Sequence, residues 1–203
     1  MSENSKFSGK VAVITGAASG IGAGLARHAS SLNMRLVLAD WNAEALHQTA
    51  NSLGTEYLAV EVDVRDEKSV QNLCHTVFEK FGTVDLLFNN AGVLSSGLSW
   101  EIDHETWQRS IDVNVMGIVN VIRCFVPRMI ESDHHARIVN TGSVGGFFPT
   151  PLMGPYSATK FATTAITEAL ALELASIESK IKVSLLAPGP VKTGLMEGDA
   201  PPQ

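Results

Sequence analysis

VAVITGAASGIG, residues 11–22, is the stretch on which the fold turns. Its first five residues, Val11 to Thr15, are apolar or β-branched throughout, which suits a strand covered on both faces of a sheet. A glycine-rich turn follows, and then a run whose small and apolar residues read as a helix from about 20 to 32. Strand, tight turn and helix start form the context in which a glycine loop is informative. Glycines there let the backbone approach a pyrophosphate, and free N–H groups of the first helical turn meet its charge. The glycines stand at Gly16, Gly20 and Gly22, a departure from the usual GxGxxG spacing, with Ser19 and Ile21 between them. The lysine-bearing phosphate loop of nucleoside triphosphatases is absent.

Outward from this unit the same alternation continues. Strand-like runs lie at 11–15, 35–39, 57–62, 84–88, 137–141 and 181–187. Helical patterns lie at 20–32, 42–53, 66–81, 104–131 and 155–178. Strict alternation predicts a parallel sheet with helices on both faces, and right-handed crossovers leave the doubly wound sheet as the leading topology. The expected architecture is a single α/β domain over residues 1–203, three-layer and Rossmann-like, with strand order 3-2-1-4-5-6. The sequence ends at Gln203, soon after the sixth strand, which would stand as a bare apolar edge. The expectation is that the natural protein continues.

The bulk composition excludes several classes. Of 203 residues 45% are hydrophobic and 18% charged, with a net charge of −6 and no basic run, so nothing suggests a nucleic-acid footprint. The longest apolar stretches are broken by polar residues, which predicts no membrane span, and the polar MSENSKFSGK start lacks a signal-peptide core. Cys74 and Cys124 have no metal-like spacing and are read as buried reduced thiols, and no metal site is expected. The compartment is read as cytoplasmic.

The second strand ends in LAD, which places Asp40 about twenty residues past the glycine turn, where an acid accepts both ribose hydroxyls of an adenosine. The competing reading of Asp40 is a helix N-cap. No cation flanks it, since Trp41 follows and Ser19 stands where a basic residue would neutralise a phosphate. A 2′-phosphate about 4 Å from that carboxylate would be repelled by about 4 kcal/mol at an effective dielectric near 20. The expected cofactor is NAD, with NADP less favoured. Further along, YSATK (156–160) sets Tyr156 and Lys160 one helical turn apart on one face.

Together these motifs resemble the short-chain dehydrogenase/reductase family, in order and over essentially the whole chain. The residues that carry the likeness are TGAASGIG, Asp63-Val64 after the third strand, NNAG at 89–92, Asn114, Ser143, YSATK and the late PGPVKT. The resemblance implies hydride transfer between a nicotinamide and a carbonyl or alcohol carbon. It implies that Asp63 and Val64 hold the adenine, and that NNAG lines the cofactor, with Asn89 nearest the adenosine ribose and Ala91 and Gly92 beside it. It implies that Pro188, Gly189, Val191 and Thr193 seat the carboxamide. It also implies a homodimer or homotetramer through the long helices. The alanine stripe 158, 162, 165 and 169 either serves that pairing or packs on the sheet. Relatives continue through a substrate lid and a seventh strand, which this sequence lacks.

The chemistry explains why these residue types are needed. Taking a proton from an alcohol near neutral pH requires Tyr156 as a phenolate, about three units below its reference pKa, or roughly 4 kcal/mol. One cation at contact distance in a shielded site supplies about that much, which gives Lys160 its task. Ser143 would hold the substrate oxygen, although a serine in TGSVGG also suits a turn. By resemblance Asn114 positions a water leading from Lys160 to solvent. GGFFPTPLMGP (145–155) would wall the site with apolar side chains, which predicts a neutral, hydrophobic secondary alcohol or ketone. NADP-dependent reduction, or dinucleotide binding without turnover, are the alternatives. His134 and His135 are read as solvated, and Trp100 and Trp107 as packing residues.

Overall fold

The computed structural model describes residues 6–191. Six parallel strands form one sheet: β1 Val11–Thr15, β2 Arg35–Asp40, β3 Tyr57–Glu61, β4 Leu86–Asn89, β5 Ala136–Thr141 and β6 Ile181–Leu186. Their order is β3-β2-β1-β4-β5-β6, as expected for the doubly wound sheet. The helices are α1 Gly20–Ser31, α2 Ala43–Asn51, α3 Glu67–Phe81, α4 His104–Ile111, α5 Gly117–Glu131 and α6 Gly154–Ser176.

Alternation along β1 shows how the layers form. Ala12 and Ile14 point to one face and pack with Ala26 and Ala29 of α1 and Leu46 and Ala50 of α2. Val13 points to the other, toward Leu73 and Val77 of α3, Phe125 and Met129 of α5, and Leu170 and Leu174 of α6. All five β1 residues are buried, the signature of a central strand covered on both sides. The order reverses at β1, whose neighbours are β2 and β4, so a crevice opens at their carboxyl ends. β6 lies at the sheet edge, with Ile181 buried and the following residues more open.

Several local expectations change. The 104–131 run is two α-helices joined by a π-helical segment, Asp112–Met116, an irregularity often found beside functional sites. By length and composition that run is apolar enough to cross a membrane, contrary to the sequence reading. Half of its most apolar window is buried inside the fold, which marks a core helix. His134 is not simply solvated: its ring lies within hydrogen-bond distance of Thr83 Oγ1 (2.8 Å), Ser132 Oγ (3.1 Å) and Val84 O (3.1 Å). Trp100 packs little, being 80% exposed. Cys74 is buried and burial pushes its thiol up to about 12, whereas Cys124 is only half-buried. The alanine stripe does not pack on the sheet, because Ala158, Ala165 and Ala169 are exposed.

Candidate active site

The cleft at the carboxyl ends of the strands gathers most of the residues singled out in the sequence. Gly16, Ser19, Gly20 and Ile21 form one lip, Asp40, Trp41, Asp63 and Val64 one end, and Ala91 and Gly92 the floor. Ser143, Tyr156, Lys160, Pro188, Gly189 and Val191 line the other end. Thr193 lies outside the described residues. Residues not named from the sequence also line it, among them Ala18, Asn42, Asn90, Val93, Val113 and Thr141.

The glycine turn is shaped by close backbone approach. Gly16 has φ +66°, and a Cβ there would lie 2.8 Å from Ala91 Cα. Gly22 does not line the cleft. A Cβ on it would fall 2.0 Å from Gly16 O, so it is needed for the turn to pack on its own helix. Asp40 is not the N-cap of α2; Asn42 is, accepting from Ala45 N–H at 3.0 Å. The Asp40 carboxylate instead accepts from Ala18 N–H (2.9 Å) in the glycine turn and from Asn42 N–H (3.0 Å). Burial pushes its carboxyl up, and these backbone donors oppose the shift. The acid therefore ties the turn to the end of β2 and still faces the cleft.

Asn89 stands elsewhere than expected. Period-two alternation in β4 puts it on the face of Leu87, in the core, where it is 2% exposed and donates to Asn140 Oδ1 at 2.8 Å. Its own Oδ1 is without a partner among the described residues. Asn90 lines the cleft in its place, with Nδ2 donating to Thr15 O and Gly16 O. Alternation turns the two side chains to opposite faces, and packing decides which of them meets the cleft.

At the other end, the turn after β5 and the start of α6 bring Ser143, Tyr156 and Lys160 into the cleft. Lys160 is 4% exposed, and its ammonium donates to Thr141 O at 2.8 Å. Burial pulls its pKa down to about 8. The same nitrogen lies 5.6 Å from the centroid of the Tyr156 ring. Ser143 serves both readings given it: its Oγ accepts from Gly145 N–H at 3.0 Å, capping a short 3₁₀ turn, and it lines the cleft. Its hydroxyl proton stays available to donate.

Asn114 does not line the cleft. It is fully buried in the π segment, where Oδ1 accepts from Val93 N–H (2.8 Å). Its Nδ2 donates to Val93 O (2.9 Å) and Thr159 Oγ1 (3.0 Å). A Cβ on Gly92 would lie 3.2 Å from Asn114 Oδ1 and 3.6 Å from Lys160 Nζ, so both groups converge behind that glycine. The apolar loop 145–155 does not wall the cleft. None of Phe147, Phe148 and Leu152 lines it, and they stand 46%, 75% and 53% exposed.

Residues 10–202 match the family model described as short chain dehydrogenase. The "CLA biosynthesis dehydrogenase/reductase" of Lactiplantibacillus plantarum is 38% identical over 192 residues, covering 93% of this chain and 67% of that protein. A solved short-chain dehydrogenase/reductase from Burkholderia phymatum in complex with NAD is 43% identical, with a TM-score of 0.93 over 98% of this chain and 71% of that one. A 3-ketoacyl-(acyl-carrier-protein) reductase from Brucella melitensis complexed with NADH is 34% identical, with a TM-score of 0.89 over 94% of this chain and 79% of that one. The chain belongs to the short-chain dehydrogenase/reductase family and is an oxidoreductase of it.

Proposed function

We propose that this protein transfers a hydride between NAD(H) and a neutral, apolar secondary alcohol or ketone, with Tyr156 as general acid and base. One observation carries the reading. Ser143, Tyr156 and the buried Lys160 share a cleft whose other end holds the glycine turn and Asp40. The residues suit a dinucleotide, because the glycines leave a cradle that side chains would fill and Asp40 offers a carboxylate at its end. The nicotinamide, when bound, accepts or supplies the hydride.

In the oxidising direction the Tyr156 phenolate takes the hydroxyl proton while the Ser143 hydroxyl donates to the substrate oxygen. Lys160 stabilises the phenolate. With its pKa near 8 most of it is charged at pH 7, and its burial leaves that charge weakly screened. Asn114 fixes the segment after β4 against α6, since its amide is committed to Val93 and Thr159. Pro188, Gly189, Val191 and Thr193 are assigned to the carboxamide end, and Asp63 and Val64, which line the cleft, to the adenine. NAD is favoured over NADP because Asp40 faces the cleft end and no lysine or arginine lines that end among the described residues. The apolar substrate is favoured by the exposed Phe147, Phe148 and Leu152 in the loop between Ser143 and Tyr156.

A screen of alcohols and ketones with both cofactors tests the proposal. The expected outcome is turnover of neutral apolar substrates, with at least about tenfold higher kcat/KM for NAD(H), from half the repulsion estimated for Asp40. Tyr156→Phe is expected to keep cofactor affinity and less than a few per cent of turnover. Equal efficiency with both cofactors refutes the NAD assignment, and an active Tyr156→Phe refutes the acid–base one.

A further inference from the structure

One side chain of α5 bears on the adenine end of the cleft from outside it, and the inference drawn from it rests on the dinucleotide reading above. Asn120 is 5% exposed, and the other buried residues of its helix are Gly117 and the apolar Ile118, Val121, Phe125, Val126 and Met129. An amide buried in such company costs free energy unless it is bonded. Its Nδ2 donates out of the helix, to Val64 O (2.9 Å) and Arg65 O (3.3 Å).

Those two carbonyls stand between regular elements. β3 ends at Glu61, one further bond joins Val62 N–H to Asp40 O, and α3 starts only after its N-cap Asp66. Val64 O and Arg65 O therefore belong to neither the sheet nor a helix, and a buried backbone acceptor needs a donor from elsewhere. Asn120 supplies it. The segment it holds carries Asp63 and Val64, which line the cleft, whereas Asn120 does not.

A second contact from α5 reaches the same segment. Gly117 stands three residues before Asn120, on the same side of the helix. A Cβ on Gly117 would lie 2.7 Å from Val64 Cγ2 and 3.1 Å from Val64 Cβ. Valine has no long stem to bend aside, so a methyl group there must displace it. Just upstream, Val113 lines the cleft and Asn114 holds the cleft-lining Val93. One stretch of backbone, 113–120, thus braces the floor of the cleft and its adenine end.

We propose that Asn120 is a positioning residue for the adenine half of the cofactor: its amide fixes the backbone that presents Asp63 and Val64 to the adenine. Gly117 leaves Val64 the room to stand there.

The test uses the intact chain and two probes, 5′-AMP for the adenine half and nicotinamide mononucleotide for the other, titrated by ligand-observed NMR. Asn120→Leu removes the donors at similar volume. It is expected to raise the Kd for 5′-AMP roughly five- to tenfold and to leave that for nicotinamide mononucleotide within about twofold. Gly117→Ala is expected to give the same one-sided loss. Phe125→Leu, further along α5 where its ring meets Phe78 of α3, is the control, expected to lower Tm and to change neither Kd. A circular-dichroism melt checks that each variant is folded at the titration temperature. Should Asn120→Leu fail that check, Asn120→Ser, too short to reach the carbonyls, is read in its place. Unchanged 5′-AMP affinity in the folded Asn120 variant, or a loss shared equally by both probes or by Phe125→Leu, overturns the proposal while leaving the dinucleotide reading intact. A wild-type chain that binds neither probe overturns both.

Discussion

Lys160 carries a charge where burial disfavours one. It is buried, its ammonium donates to a backbone carbonyl, and burial lowers its pKa from 10.5 to about 8. Below pH 8 the folded and unfolded chains both hold the proton, and folding bears the full cost of burying a charge. Between about 8 and 10.5 the folded form has released the proton and the unfolded form has not, so stability from this group rises with pH. The shift corresponds to about 3 kcal/mol, less about 1 kcal/mol for the hydrogen bond to Thr141 that a substitution removes. Lys160→Met is thus expected to be about 2 kcal/mol more stable than wild type at pH 7, with that advantage vanishing by about pH 10, and to lose turnover. Urea unfolding at several pH values measures it. A variant less stable than wild type at pH 7 would contradict the cost assigned to the buried charge. At this scale the four-residue spacing of Tyr156 and Lys160 showed only that they share a helical face. The separate duties of Asn89 and Asn90 were not legible, because adjacent strand residues face opposite ways and only packing shows which face is the core.

Among the elements, the β1–turn–α1 unit is set by backbone contact and leaves little room for side chains. A Cβ at Gly22 would meet Gly16 O at 2.0 Å and Gly16 C at 2.7 Å, atoms that cannot swing aside as a side chain does. Gly22→Ala is expected to lower Tm by several degrees and to weaken 5′-AMP binding at least tenfold, although Gly22 itself does not line the cleft. Gly24→Ala in the same helix is the control. Nothing lies within 4 Å of a Cβ there, and the change is expected to be neutral or stabilising. α6 shows a different logic. Thr159, Thr163 and Thr167 are buried at four-residue intervals, and their hydroxyls donate to backbone oxygens one turn earlier. This polar inner face meets Asn114 and Asn140, so the helix carries a hydrogen-bonded seam where an apolar stripe would be usual. Its limits were readable from the sequence within two residues, but its inward face was not, since alanine and threonine carry no strong amphipathic signal.

At the scale of the whole molecule, the outer face of α6 presents an exposed apolar row. Ala158, Phe161, Ala165, Ala169 and Leu172 follow one another at helical spacing, with Phe161 43% and Leu172 73% exposed. The prediction is that the homo-oligomer implied by the family resemblance pairs through this face. Leu172→Glu combined with Ala165→Arg is expected to move the chain to monomer mass in sedimentation velocity without changing 5′-AMP affinity. An oligomer that survives both changes would place the interface elsewhere.

The order of elements, the parallel sheet and the pairing of Tyr156 with Lys160 on one helical face were written in local patterns: apolar runs of strand length, helical spacing, glycines at a turn and a tyrosine four residues before a lysine. Those are short-range features, and short-range sterics and periodicity suffice to read them. The tertiary structure alone decided which neighbour of a pair faces the cleft, that Asp40 braces the glycine turn while Asn42 caps the helix, that Lys160 is desolvated, and that Asn120 reaches the Val64 carbonyl. Each of these depends on burial and on contacts between strands and helices distant in sequence, and a side chain's charge or direction has no fixed consequence until such packing surrounds it.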